Sequence, residues 1–270
     1  MAEKMLKTER NTELGMLVVI GGPGGSGSST ISKLVAEKYN LTHHYAGGIF
    51  RELARENGHE SVKDFLAMVE AKKGNDYDLE VDNRMIKASQ SPNVLIEAKS
   101  FAALATMKNI PCTAKIWITA DVDTRVRRVL AKKEILGFGK PVTKNLINIY
   151  EEEKKNLLER QDINSKRLNF LYGIEYERPE LYNDMVVDSS NQSVEETFNL
   201  ICKKIEEMEE KKKGNVNVPA NGNGKSMDDL EVNWRRWKCL VCGYVYEGTD
   251  IRLKCPKCGN EDPMKFRDID

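Results

Sequence analysis

The chain has 270 residues, enough for one or two domains that bury a hydrophobic core without disulfide or metal support. Lysine plus arginine and aspartate plus glutamate balance at 42 each, so the net charge is zero and a basic nucleic-acid binder is disfavoured. No apolar run approaches the roughly 18 residues that a membrane-spanning helix needs. The first 15 residues lack the apolar stretch of a secretory signal. We therefore expect a cytoplasmic protein with no membrane partner, whose six cysteines are metal ligands or core residues.

Short apolar runs, each followed by polar helix-forming sequence, predict strands that alternate with helices. The first run, Met16–Gly21, is followed by glycines and then by the helical pattern of Ile31, Leu34 and Val35. Another short strand is expected to end at Tyr45. Further strands are predicted at Val94–Ile96, Ala114–Ile118 and Met185–Val187. This alternation predicts an α/β fold built around a parallel sheet.

The last helix of this pattern is predicted over Ser193–Met208, where Ser193 and Glu196 have the spacing of a capping box. After Glu210 the sequence becomes rich in Lys, Gly and Asn and loses its apolar periodicity, which predicts a linker. Twenty flexible residues span about 25 Å. We therefore predict an N-terminal extension (1–15), a main domain (16–212), a linker (213–232) and a cysteine-rich domain (233–270).

A glycine-rich segment between the first strand and the first helix fits the phosphate-binding spacing Gly-x4-Gly-x-Ser/Thr. Glycines let main-chain N–H groups point at phosphates, and the following helix directs its positive end towards them. The hydroxyl of Ser29 is placed to bind Mg²⁺. Ser28 occupies the usual position of lysine, and loss of one such preorganised donor costs on the order of 10²- to 10³-fold in rate. Either another cation substitutes or the segment binds nucleotide without efficient catalysis. The predicted phosphate-binding residues are Gly22, Gly24, Gly25, Ser26, Gly27, Ser28, Ser29 and Thr30.

Four further segments carry a family resemblance: YAGGIFR at 45–51, VLIE at 94–97, RQDINSKRLNFLYGI at 160–174 and DMVVDSS at 184–190. Together with the glycine-rich segment they resemble the archaeal type of cytidylate kinase, whose phosphate loop also has a hydroxyl residue in place of lysine. The resemblance covers about residues 1–212. It implies a P-loop NTPase fold of three layers (αβα), with ATP and Mg²⁺ as cofactors. It also implies that Arg51 binds the monophosphate and that Glu97 organises Mg²⁺ and water.

Two sets of basic residues are candidates for neutralising the phosphates. Arg160 and Arg167 are two helical turns apart and share a face with Asn164. Guanidinium groups bind phosphate bidentately, and an amide can read a ribose hydroxyl or a base edge. The second set, Arg125, Arg128 and Lys132, lies on the predicted helix after the strand at 114–118. By resemblance this set lies on the lid side of the ATP phosphates, where it could replace the missing lysine. The alternative for each arginine is a solvent-exposed helix face. The predicted catalytic residues are Arg125, Arg128, Lys132, Arg160 and Glu97, and the predicted substrate-binding residues are Arg51, Lys99, Asn164 and Arg167.

The sequence departs from the family at a few positions. Ala98 and Lys99 stand where the family commonly has Gly-Arg, which exchanges a bidentate fork for a point charge. Asn164 replaces a carboxylate, and Gln161 replaces Glu. These changes concern the preferred base, for which CMP and dCMP are favoured over UMP or AMP. The adjacent residues His43 and His44 are predicted to be structural.

Four cysteines near the C-terminus form two Cys-x2-Cys pairs, at Cys239 and Cys242 and at Cys255 and Cys258. Such pairs offer four thiolates to one tetrahedral ion, and a segment of 38 residues needs that ion in order to fold. The segment resembles the short rubredoxin-like module of rubrerythrins, a small β module. The resemblance suggests iron, and zinc satisfies the same ligands. Electron transfer, redox sensing and a structural role remain open.

The sequence therefore predicts a Mg²⁺-dependent kinase that transfers the γ-phosphoryl group of ATP to CMP or dCMP, fused to a module that holds iron or zinc. Its partners are predicted to be small-molecule nucleotides, with a redox partner for the metal module if that module transfers electrons. The chain is expected to be a monomer or a dimer. Two alternatives remain: a degenerate nucleotide-binding switch coupled to the metal module, and a kinase for another nucleoside monophosphate.

Overall fold

The structure is a computed structural model that describes residues 10–59, 65, 76–137, 140–214, 235–242, 245–248, 258 and 266–268. The chain divides into two compact units, Met1–Val216 and Asn217–Asp270. The finer domain boundaries, at residues 15, 212 and 232, stay predictions. None of the described helices is long and apolar enough to cross a bilayer.

A parallel β-sheet forms the centre of the first unit. Its order is β2-β3-β1-β4-β5, and every neighbouring pair is parallel. Residues 17–20 of the central strand are at most 1% exposed, as expected for a strand covered on both faces. The predicted parallel sheet is therefore confirmed. The strands are β1 (Leu17–Gly21), β2 (Thr42–Tyr45), β3 (Val94–Glu97), β4 (Ala114–Thr119) and β5 (Met185–Asp188).

Helices cover both faces of this sheet, because successive side chains of a strand point to opposite sides. Leu17 and Val19 of β1 pack with α2, α3 and α4, whereas Val18 and Ile20 pack with α1 and α7. The three-layer αβα fold is thus confirmed. The helices are α1 (Ser28–Lys38), α2 (Ala46–Glu56), α3 (Asp76–Ala88), α4 (Phe101–Met107), α5 (Val122–Lys132), α6 (Ile147–Tyr172) and α7 (Val194–Gly214), with short 3₁₀ turns at Thr12–Leu14, Lys144–Leu146 and Pro179–Leu181.

The predicted capping box at the start of α7 is present. The main-chain N–H of Ser193 donates to Glu196 Oε2 at 2.8 Å, and the N–H of Glu196 donates to Ser193 Oγ at 3.1 Å. The helix continues to Gly214, beyond the predicted end at Met208. The extra residues are mostly Glu and Lys, which form helix well without an apolar stripe.

Arg10 fastens the segment before β1 to the amino end of the sheet. Arg10 is 5% exposed, and its guanidinium group donates to main-chain carbonyl oxygens that precede β1 and β3. These acceptors belong to Leu14, Gly15, Met16, Ser89 and Ser91. The N-terminal segment is therefore held at the end of the strands opposite to their carboxyl ends.

The second unit contains a small antiparallel sheet of order β7-β6-β8. Its strands are β6 (Arg235–Cys239), β7 (Val245–Gly248) and β8 (Phe266–Asp268). Sheets this short are marginal without further support. The β architecture agrees with the predicted β module.

Candidate active site

The glycine-rich segment lies between β1 and α1, at the carboxyl end of the sheet. Gly25 and Gly27 have φ angles of +83° and +95°, which glycine adopts without strain. A Cβ atom on Gly25 would lie 2.7 Å from the carbonyl oxygen of Arg125. Within the ranges that the structure describes, no side chain forms a capping hydrogen bond at the N-terminus of α1. The N–H of Thr30 donates to the Gly27 carbonyl at 3.0 Å, whereas the N–H groups of Ser28 and Ser29 precede the first intrahelical hydrogen bonds and suit an anion such as phosphate.

Two arginines of α5 hold this loop through its carbonyl oxygens. Arg125 Nε donates to the Gly24 carbonyl at 2.8 Å. Arg128 Nη1 donates to the Ser26 carbonyl at 3.0 Å, and its Nη2 donates to the Ser189 carbonyl at 2.7 Å. Burial lowers the pKa of both guanidinium groups. Because these carbonyl groups point at arginines, the N–H groups of the same peptide units point the other way and can face a ligand.

The stripe predicted on α5 is only partly brought to the loop. Arg125 and Arg128 reach it, whereas Lys132 is the last residue of α5 and its side chain is exposed. Lys132 lies seven positions after Arg125, which is about 10 Å further along the helix axis. The predicted role of Lys132 gains no support from this position.

A cavity beside the loop is rich in positive charge. Lys99, Arg125 and Arg160 line it, and no carboxylate does so among the described residues. Burial, together with the charges of Arg160, Arg167 and Arg125, lowers the pKa of Lys99 to about 7. Cations in such a site gain stability when an anion enters. The other lining residues are Pro23, Gly24, Leu157, Gln161, Asn164 and Tyr176.

A carboxylate and a hydroxyl meet at the start of α1. Ser29 Oγ donates to Glu97 Oε1, and the Glu97 side chain is only 6% exposed. Glu97 is the last residue of β3, next to the strand that leads into the loop. Oxygen donors of this kind suit Mg²⁺. The two residues predicted from different segments are therefore adjacent, and they fit a magnesium ion.

His43 also contacts this carboxylate, which the sequence analysis missed. Its Nε2 lies 3.1 Å from Glu97 Oε2. His43 pairs with Leu95 and Tyr45 pairs with Glu97, so all four side chains lie on one face of the sheet. Only the strand order brings β2 beside β3, and that order cannot be read from the local pattern around His43.

The predicted substrate-binding residues of α6 share one face. Asn164 Nδ2 donates to the Arg160 carbonyl at 2.6 Å, and Arg167 Nη2 donates to Asn164 Oδ1 at 3.3 Å. Arg167 lies 5.4 Å from the ring centroid of Phe50 in α2. Arg51, also in α2, is exposed and lies 5.0 Å from the ring centroid of Tyr45. Helices α2 and α6 thus bring basic groups to the same end of the sheet.

Two buried acids of α3 were also missed. Asp78 Oδ1 lies 3.3 Å from Arg167 Nη1. Asp82 accepts hydrogen bonds from Ser100 at 2.8 Å and from Tyr172 at 2.6 Å. Burial raises the pKa of Asp78, and it raises the pKa of Asp82 to about 6. Their spacing of four residues, which continues to the buried Ile86, was a signal that they face inward.

Three cysteines of the second unit converge. The sulfur atoms of Cys239, Cys242 and Cys258 lie within 4.8 Å of one another, and those of Cys239 and Cys258 are 3.7 Å apart. A tetrahedral ion with metal–sulfur bonds of about 2.3 Å needs sulfur atoms about 3.8 Å apart. The three thiols therefore fit one metal ion. Cys255, the predicted fourth ligand, lies outside the described residues.

Comparisons with known proteins agree with both units. A model described as an AAA domain matches residues 20–135, and one for the rubrerythrin, rubredoxin-like domain matches residues 237–263. A cytidylate kinase of Methanocaldococcus jannaschii is 32% identical over 193 residues, covering 72% of this chain and 99% of that protein. The chain belongs to the cytidylate kinase family. A cytidylate kinase of Methanopyrus kandleri is 32% identical, covering 73% of this chain and 97% of its own length, and one of Pyrococcus horikoshii is 32% identical, covering 72% and 90%.

The family resemblance predicted from the sequence is therefore confirmed, as is the resemblance of the C-terminal module. The cytidylate kinase match accounts for about 72% of the chain. The rubredoxin-like match lies in the C-terminal unit, beyond the kinase unit. This member of the cytidylate kinase family thus combines the kinase unit with a second, metal-binding type of unit.

Proposed function

We propose that the first unit transfers the γ-phosphoryl group of ATP to CMP or dCMP. The observation that carries this proposal is the cavity lined by Lys99, Arg125 and Arg160, which lies against the phosphate loop and lacks acidic residues in the described part of the chain. A reaction between two nucleotides brings two polyanions together and requires such an excess of cations. The relatives named cytidylate kinase support CMP as the acceptor.

The loop and α1 bind the outer phosphates of ATP through main-chain N–H groups. Ser29 and Glu97 would hold Mg²⁺, which would supply positive charge to the phosphates of ATP. Lys99, Arg125 and Arg160 surround the path of the transferred group. They supply the positive charge that lysine would supply at position 28, where this chain has Ser28. Because phosphoryl transfer needs mainly positioning and charge neutralisation, this set suffices for the chemistry.

The acceptor nucleotide binds on the side of α2 and α6. Arg51 and Arg167 are the cations for its phosphate, and Asn164 offers an amide to its ribose or base. Arg167 is already aligned by Asp78 at 3.3 Å and by Phe50. A preorganised arginine loses less conformational entropy when it binds phosphate.

A panel of nucleoside monophosphates, assayed for ADP formation, tests the proposal. We expect turnover with CMP or dCMP that requires Mg²⁺. Arg160→Met should lower kcat on the order of 10²-fold, the scale of one lost electrostatic donor. Arg55→Met, an exposed arginine of α2, is the matched control and should retain activity. Tight ATP binding without turnover for any acceptor would select the nucleotide-binding switch instead.

We further propose that the second unit holds one iron or zinc ion through Cys239, Cys242, Cys255 and Cys258. The 3.7 Å separation of two of the sulfur atoms supports a tetrahedral ion. Elemental analysis and the visible absorption of the purified protein distinguish ferric iron, which is coloured, from zinc. Iron would favour electron transfer with a redox partner, and zinc would favour a structural role. Cys258→Ser should lower the metal content, and an unchanged content would contradict the assignment.

A further inference from the structure

Among the residues that the structure describes, each oxygen atom of the Glu97 carboxylate has one hydrogen-bond partner. Oε1 accepts from the hydroxyl of Ser29, and Oε2 lies 3.1 Å from His43 Nε2. An ionised carboxylate only accepts hydrogen bonds, so His43 donates through Nε2–H. Each carboxylate oxygen has two lone pairs, so both oxygens keep one acceptor position for a further ligand.

Glu97 needs a partner to fix the direction of this carboxylate. Its side chain has three rotatable bonds, and the last of them is broad in its preferred angles. The hydrogen bond from His43 restricts that rotation. The ring of His43 is itself restrained, because it is 20% exposed and stacks on Tyr45 with centroids 6.4 Å apart and planes 29° apart.

The neighbouring histidine provides a natural contrast. His44 is the next residue of β2, so its side chain lies on the opposite face of the sheet from Glu97. Two adjacent histidines in one strand therefore differ in whether they reach the carboxylate. Substituting each histidine in turn therefore distinguishes loss of the contact with Glu97 from a general effect of removing a histidine from β2.

We propose that His43 is a positioning residue that holds Glu97 in the orientation needed to bind Mg²⁺ together with ATP. The proposal rests on the kinase function proposed above. Hydrogen-bond partners of metal-ligating groups contribute about 10- to 100-fold to metal affinity or activity. His43 contacts neither nucleotide in this assignment, and it acts only through Glu97.

The test compares His43→Leu, which removes the N–H donor, with His43→Gln, which places an N–H group at a similar reach. His43→Phe keeps the ring shape and removes the donor, and it serves as a second variant should leucine disturb folding. His44→Leu is the control. ATP binding is measured by calorimetry with Mg²⁺ and with EDTA, and activity is measured against Mg²⁺ concentration.

We expect His43→Leu and His43→Phe to require about 10- to 100-fold more Mg²⁺ for half-maximal activity and to weaken ATP binding only when Mg²⁺ is present. ATP binding in EDTA and the KM for CMP should stay within twofold. His43→Gln should recover most of the loss, and His44→Leu should match the unmodified protein.

Two results would overturn the proposal: an unchanged Mg²⁺ requirement in the donor-free variants, or equal weakening of ATP binding in Mg²⁺ and in EDTA. Failure of the unmodified protein to phosphorylate any monophosphate would instead refute the proposed function. The calorimetric comparison would still decide whether His43 supports Mg²⁺ binding, so the two failures are distinguishable.

Discussion

Lys99 should destabilise the free protein while it strengthens phosphate binding, and Lys99→Met separates the two effects. The pKa of Lys99 falls from its usual 10.5 to about 7 because of burial and of the charges of Arg160, Arg167 and Arg125. That decrease corresponds to about 5 kcal/mol at a pH below 7. Since the side chain is partly exposed, we expect about 2–4 kcal/mol after solvent screening.

The effect has a defined pH dependence. Below pH 7 both folded and unfolded chains carry the charge, so the full destabilisation is present. Between pH 7 and about 10 the folded protein has lost this proton and the unfolded chain retains it, so the free energy of unfolding rises with pH. Lys99→Met should therefore be more stable than the unmodified protein at pH 6, and this difference should shrink as the pH approaches 10.

Urea unfolding in EDTA at pH 6 and pH 9.5 measures this difference without bound metal. Lys87→Met, at an exposed position of α3, is the matched control and should change the free energy of unfolding by less than about 0.5 kcal/mol. Calorimetry should show ATP or CMP binding weakened about 10- to 100-fold by Lys99→Met, as for loss of one charged hydrogen bond. A variant that is no more stable at pH 6, or equally more stable at both pH values, would refute the reasoning.

Three further substitutions test the loop and the N-terminal anchor. Gly25→Ala forces φ +83° on alanine and brings Cβ to 2.7 Å from the Arg125 carbonyl, so it should weaken ATP binding about tenfold or more. Gly58→Ala is the control, because Gly58 has φ +77° but open space around it, and this variant should bind ATP as the unmodified protein does. Equal weakening of ATP binding in both variants would contradict the loop argument. Arg128→Met should raise the KM for ATP about tenfold and leave the KM for CMP unchanged, whereas a rise in both would place Arg128 elsewhere. Arg10→Met should lower the free energy of unfolding by about 2–4 kcal/mol in urea titration, with ATP affinity retained, and a loss below about 1 kcal/mol would show that water replaces the anchor.

Features with a local origin were predictable from the sequence. The run at residues 16–21 has the continuous apolar character of a strand buried on both faces, and the glycines after it match a phosphate loop. The capping box at Ser193 and Glu196 depends on residues three apart, so its geometry follows from the spacing alone. These elements appear in the structure within one residue of their predicted starts.

Features that depend on strand order or on helix packing were not predictable in this way. His43 reaches Glu97 because β2 lies beside β3, although the two strands are about fifty residues apart in the sequence. Arg125 lines the cavity, but its hydrogen bond to the Gly24 carbonyl and that of Arg128 to the Ser26 carbonyl arise because α5 packs against the loop, which the local sequence does not show. Spacing along a helix shows which residues share a face, but it does not show which part of the protein or which ligand that face contacts.

The anchoring of Arg10 to the amino ends of β1 and β3 has a practical consequence for biophysical work on this protein. The strands of the sheet separate that anchor from the phosphate loop by about 15 Å, given roughly 3.3 Å per residue. A fluorescent label attached at the exposed residue Asn11, beside that anchor, would therefore not lie against the nucleotide cleft.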